Sequence, residues 1–181
     1  MNRRVLWIAL AIAAVFLFGY FASPYLAASQ LKAAVLAADA DQLEKRVDFP
    51  AVRESLKSQL SAALLAKLQN DPEMKANPFA GLGVMMMPAI VDKAVDAYVT
   101  PEGLRAMAKG GKPGNPNATL DAEPNPDLVY TSEYVSLNRF RIKMKKKSTD
   151  ELGPSFLFER RGLMSWILIK VELPEELFNK P

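Results

Sequence analysis

The chain contains no cysteine and no histidine. Without thiols it forms no disulfide, so an oxidising compartment is permitted but not indicated. Together the two absences exclude thiol nucleophiles, imidazole general bases, Ser-His-Asp triads and the common zinc sites built on His or Cys. A lipoprotein acylated on cysteine is excluded as well. What chemistry remains would run on carboxylate, lysine, tyrosine or serine. No phosphate loop, dinucleotide fingerprint or paired-carboxylate motif accompanies those residues. The expectation is therefore a non-enzyme with no metal and no cofactor. A large excess of either charge is missing too. The formal net charge is +3, of which Arg3 and Arg4 supply two. The near-neutral remainder is not a nucleic-acid binder's balance, so no nucleic-acid partner is expected.

What the chain does have is a long uncharged run. Val5 to Ala22 carries no charged side chain, Arg3 and Arg4 precede it, and the next charge is Lys32. At ~1.5 Å per residue a helix over this run reaches about 27 Å, the short end of a bilayer's hydrocarbon core. Trp7 stands near one end and Tyr20 and Tyr25 near the other, where amphipathic rings favour the interfaces. The positive-inside bias then puts the N-terminus in the cytoplasm. The resulting expectation is a single-pass protein of the bacterial inner membrane. Residues 1–23 form the cytoplasmic start and anchor, with lipid contact through 5–22, and residues 24–181 form a periplasmic domain. A cleaved secretory signal is the competing reading. It is disfavoured because the run is longer than the usual apolar region and small-x-small sites place Tyr20 at the critical position or fall as late as Ser29.

The first half beyond the anchor reads helical. Leu31, Ala34, Val35 and Ala38 recur at helical spacing, and Asp39-Ala40-Asp41 offers a turn and cap before a short helix with Leu43 and Val47. Asp48 can cap a third helix whose first turn suits Pro50. Val52, Leu56, Leu60, Ala63, Leu64 and Leu68 form its stripe, and Asn70-Asp71-Pro72 ends it. A further helix is expected from Pro88, with Val91, Val95 and Tyr98 on one face. Thr100-Pro101-Glu102 opens another by cap and proline chemistry. Lys109 to Asp127, rich in Pro, Gly and Asn, reads as a flexible loop.

From Leu128 the period changes to two. Strands are expected over Leu128–Val135, Leu137–Lys145, Ser155–Arg160 and Leu163–Leu173. Phe140, Ile142 and Met144 alternate with Arg139, Arg141, Lys143 and Lys145, giving a half-buried strand with a basic face. Arg161-Gly162 predicts a tight hairpin turn. Trp166-Ile167-Leu168-Ile169 is apolar on both faces, which predicts a central strand. Several helices followed by a four-stranded antiparallel meander make an α+β fold.

Three constellations stand out as candidate sites. The basic face of Arg139, Arg141 and Lys143 could meet anionic lipid or an acidic partner; equally, it describes a solvated sheet face whose charges pair with Glu133 or Glu159. Phe79 to Met87, with Met85, Met86 and Met87 in succession, suits an adaptable apolar groove, an interfacial element or core filling. Asp48 and Arg53 could line a pocket, but a helix cap and a surface arginine explain them equally well.

The segment Ser23-Pro24-Tyr25, then Leu31-Lys32-Ala33-Ala34, Asp39-Ala40-Asp41, Leu43-Glu44 and the string VDFPAVRESLKSQL resemble a bacterial family, domain-of-unknown-function family 2939. Tyr98-Val99-Thr100-Pro101-Glu102-Gly103-Leu104, Phe158 to Leu163, Trp166 and Leu173-Pro174 resemble it too. The resemblance implies no activity and carries no catalytic residue. Its order of helices then curved meander is similar to a cystatin-like or nuclear-transport-factor-like cone, which implies a pocket between helices and sheet. The functional expectation is a binding or accessory module for an apolar ligand or an envelope protein. An assembly factor without a ligand pocket is the alternative, and an enzyme using carboxylate or lysine chemistry comes third.

Overall fold

The computed structural model describes residues 3–37, 39–70, 80–108 and 127–174. Helix α1 (Arg3–Ala37) continues from the apolar run straight into the folded domain, with Pro24 inside it. Residues 3–18 are exposed throughout. Ser23, Pro24, Ala27, Leu31 and Ala34 then turn one face into the protein. Helix α2 (Ala40–Arg46) starts where Asp39 caps it, the carboxylate accepting from the Gln42 amide at 3.0 Å. Helix α3 (Phe49–Asn70) is capped the same way, Asp48 accepting from the Ala51 amide at 3.1 Å. Each cap satisfies an amide that the helix's first turn leaves without a partner.

Helix α4 (Ala80–Tyr98) begins well before the expected start at Pro88. Pro88 sits inside the helix instead of opening it, which costs one backbone bond but does not end an element otherwise able to pair. Its inward face is Val91, Val95 and Val99 at intervals of four, so Tyr98 falls to the exposed side. Helix α5 (Pro101–Ala108) starts on Thr100, whose hydroxyl accepts from the Gly103 amide at 3.0 Å.

Strands β1 (Leu128–Ser136), β2 (Arg139–Lys146), β3 (Leu152–Arg160) and β4 (Trp166–Glu172) pair antiparallel in sequential order. One cross-strand row runs Tyr134, Phe140, Phe158, Leu168, and the next runs Ser132, Ile142, Phe156, Val171. These rows face the helices. Phe140, Phe158, Trp166 and Leu168 meet Leu31, Leu43, Val47, Phe49, Val52, Val91 and Val95 in one apolar cluster. Phe140 and Leu43 are fully buried. Helices packed on one face of an antiparallel meander make the fold α+β.

Two strand expectations are corrected. β4 is an edge strand, not a central one. Its outer edge is nevertheless covered, by the α2–α3 junction and α3. The Asp48 amide donates to the Leu168 carbonyl at 2.9 Å. The Gln59 side chain donates to the Val171 carbonyl at 2.8 Å and accepts from the Leu173 amide at 2.9 Å, as another strand's backbone would. The β3–β4 connection is also longer than a tight turn. Arg160 opposite Trp166 is the last pair, and Arg161 to Ser165 form a loop closed by the Arg161 amide on the Ser165 carbonyl at 3.0 Å. Leu163 thus lies in the loop, outside the strand.

Candidate functional site

The most elaborate polar arrangement lies where α1 enters the domain. Pro24 has no amide hydrogen, so the Tyr20 carbonyl lacks its helical donor. The Ser23 hydroxyl fills the gap, donating to that carbonyl at 2.7 Å. The same hydroxyl accepts from the buried Trp166 indole nitrogen at 2.8 Å. One turn of helix and one strand are thereby joined through a single oxygen. Beside it the Tyr134 hydroxyl donates to the Phe21 carbonyl at 2.8 Å. Burial pushes the Tyr134 phenol above its ordinary value, so it stays a donor at neutral pH.

Aromatic rings and one arginine complete this clamp. Phe21 meets Tyr134 edge-on with centroids 6.1 Å apart, and Tyr25 meets Phe140 at 4.8 Å. The Arg160 guanidinium lies 3.8 Å from the Tyr20 ring and 4.2 Å from the Trp166 ring. It also donates to the Leu137 and Leu163 carbonyls. Farther along, the Lys32 ammonium stands 5.7 Å from the Tyr130 ring. None of Ser23, Tyr134, Arg160 or Trp166 was singled out as functional from sequence. Only the motif Ser-Pro inside a helical run could have pointed to Ser23.

The Val47–Arg53 string carries a second feature. Glu44, Val47, Asp48, Phe49, Pro50, Arg53, Pro101 and Ile167 line an open cleft of about 440 Å³. Asp48 and Arg53 already have partners within the fold. Asp48 caps α3 and lies 3.5 Å from Arg161. Arg53 donates to the Val99 carbonyl at 2.8 Å, fastening α3 to the end of α4. What the cleft offers a visitor is chiefly apolar wall with a carboxylate rim.

The Met-rich candidates divide. Met87 packs against the core, whereas Met85 and Met86 are exposed. Leu82, Met86 and Ile90 recur at intervals of four and, with Met85, leave an apolar stripe on the outside of α4. Phe79 lies outside the described residues.

The basic strand candidates sit on the sheet face away from the helices. Arg141 is 3.4 Å from both Glu133 and Glu172, and Lys143 is 2.9 Å from Glu133. The hydrogen bond from Lys143 chiefly holds the Glu133 carboxyl below its usual range. At Glu172 burial acts upward but is outweighed by hydrogen bonds from Lys170 and Ser155 and by Arg141, so its value is also lowered. Arg139, one step along, is exposed. Arg141 and Lys143 therefore serve cross-strand pairing, and Arg139 stands at the turn end of the same face. Among the described residues, no group of three or more His, Cys, Asp or Glu is placed to hold a metal ion.

Residues 13–107 match the family described as "Protein of unknown function (DUF2939)", and the chain belongs to that family. The match takes in the helices from within α1 to α5 and stops before the sheet. No curated protein and no solved structure matches the chain.

Proposed function

We propose that this DUF2939 protein is a membrane-anchored accessory module whose domain is fixed to its own anchor. The α1 window of mean hydropathy 2.4 has none of its residues buried inside the protein, so it is available to lipid. The clamp at Ser23–Pro24 carries the reading. A cleavable signal has no use for a network in which Trp166, Tyr134 and Arg160 all hold residues 20 to 23. The positive-inside bias of Arg3 and Arg4 favours a cytoplasmic start, with the domain on the periplasmic side of a bacterial inner membrane.

On this reading the domain works by contact. The α4 stripe of Leu82, Met85, Met86 and Ile90 is an apolar surface suited to a partner protein of the envelope or an apolar ligand. The cleft beside Phe49 and Arg53 is a second place for a small apolar group. The alternative, an assembly factor without a ligand pocket, is favoured by one observation: side chains of the core cluster occupy the helix–sheet interface. No catalytic role is assigned.

Fractionation with intact-mass measurement tests the anchor. The full chain should stay in the membrane fraction, and a soluble form beginning near Ser23 would overturn it. A photocrosslinker at Met86 in intact cells should capture a specific protein that one at Asp150 does not. Equal capture at both positions would remove the stripe from the proposal.

A further inference from the structure

The contacts between α1 and the sheet fix which end of the sheet faces the anchor. Going back along α1 from Lys32 to Tyr25 and Phe21, the partners on β1 advance from Tyr130 to Tyr134, with Phe140 beside it. β1 therefore runs antiparallel to α1. Both the β1–β2 turn and the β3–β4 loop lie at the end nearest the apolar run. The β2–β3 turn, with Asp150, lies at the far end.

The β3–β4 loop reaches farthest. A Cβ built on Gly19 would meet the Met164 methyl carbon at 3.5 Å, so the loop touches α1 there. Gly19 lies one turn inside the apolar segment Val5–Ala22, about 5 Å by helical rise from its end. The loop thus overlaps the last turn of the segment that lipid would surround. All five of its residues are exposed, Leu163 at 64% and Met164 at 46%, and Leu137 of the neighbouring turn is 67% exposed. Arg160 ties the two tips together through the Leu137 and Leu163 carbonyls. Arg139 and Arg161 flank them, both exposed, and Arg161 is paired with Asp48 at 3.5 Å and Glu159 at 3.1 Å.

We propose that these two hairpin tips form a second, shallow contact with the bilayer that holds α1. Leu163, Met164 and Leu137 seat at the boundary between headgroups and acyl chains, and Arg139 meets lipid phosphates. The inference rests on the reading of α1 as a bilayer span. Exposed apolar side chains ringed by cations suit that boundary, where amphipathic elements bury their apolar side and leave charge among the headgroups. Continuity with the apolar surface of α1 names the bilayer as the occupant. Arg160, stacked between Tyr20 and Trp166, pre-organises the tips at the depth where aromatic rings and arginines favour the interface. The domain is then fixed in tilt as well as in position.

Because the chain has no cysteine, single labels are unambiguous. The full-length protein is reconstituted in phosphatidylcholine–phosphatidylglycerol vesicles carrying nitroxide lipids. A fluorescent label is placed at Leu163→Cys, Leu137→Cys, Asp150→Cys or Phe16→Cys. Labels at 163 and 137 should be quenched several-fold more than the label at 150, most strongly by a nitroxide high on the acyl chain. The label at 16 should respond most to a deep nitroxide. If 163 and 137 stay as unquenched as 150 while 16 is quenched, the hairpin contact is wrong and the span stands. If 16 is unquenched as well, the span reading falls and takes this proposal with it. Both tip positions are exposed, so a fold lost in one variant leaves the other to decide.

Discussion

Ser23 stands between two polar groups that its neighbours leave without partners. Pro24 strips the Tyr20 carbonyl of its amide donor, and the Trp166 indole is buried where water does not reach it. Ser23→Ala removes the donor to one and the acceptor for the other, and should cost about 1–3 kcal/mol of unfolding free energy. Trp166→Phe removes only the indole donor and its ring excess. A double-mutant cycle of the two in detergent should show coupling, and simple additivity would mean that the bond contributes nothing. Phe140 is fully buried in contact with Tyr25, Tyr134 and Trp166, so Phe140→Ala should cost about 3–5 kcal/mol. Titration gives a third residue-scale prediction. Glu133 and Glu172 are held below the ordinary glutamate value of ~4.3, so their pairing stabilises the fold above that pH and is lost as pH falls through the lower folded values. Denaturant midpoints should drop on acidification, and the fall should be shallower in a Glu133→Gln, Glu172→Gln variant. An identical acid limb in both proteins would refute the pairing.

Among elements, the outer edge of β4 decides how the helices meet the sheet. Gln59 lies outside the apolar stripe of α3 yet bonds both ways to the β4 backbone, and the Asp48 amide continues that pairing one step earlier. Gln59→Ala leaves a strand carbonyl and amide without these partners. The expected loss is about 1–3 kcal/mol, with faster hydrogen exchange at Leu173 as its local signature. Unchanged exchange there would show that water replaces the side chain at no cost. The periodicities of α2 and α3, and their aspartate caps, were legible because capping is a local contest between a side chain and its own first-turn amides. The role of Gln59 was not, since its partners lie more than a hundred positions away. For the same reason, apolar residues on both faces of β4 suggested a central strand. Side chains report how a strand's faces are covered, not what lies along its backbone edge.

At the level of the whole molecule, the apolar run and the domain share one helix. A chain beginning at Ser23 loses the Tyr20 ring beneath Arg160 and the Phe21 carbonyl that Tyr134 holds. It should therefore unfold about 1–3 kcal/mol more easily than the full-length protein in the same detergent, measured by denaturant midpoint. Equal midpoints would show that α1 is only a tether. The clamp also bears on the two apolar surfaces. The hairpin tips lie beside the apolar run of α1, whereas the α4 stripe lies on an element with no part in the clamp.

The sequence by itself determined the composition-level exclusions, the uncharged run, the helix caps and the alternation of β2. Each depends on residues within a few positions of one another or on residue types the chain lacks. The α+β class and the family likeness followed from the same local order. Only the tertiary structure decided that Ser23, Tyr134, Arg160 and Trp166 converge where the apolar run enters the domain. The structure likewise adds Glu172 to Glu133 as a partner of Arg141, in place of Glu159, and splits the three methionines between core and surface. Those outcomes depend on which strand lies beside which helix, and packing of the core cluster sets that arrangement. No spacing along the chain encodes it.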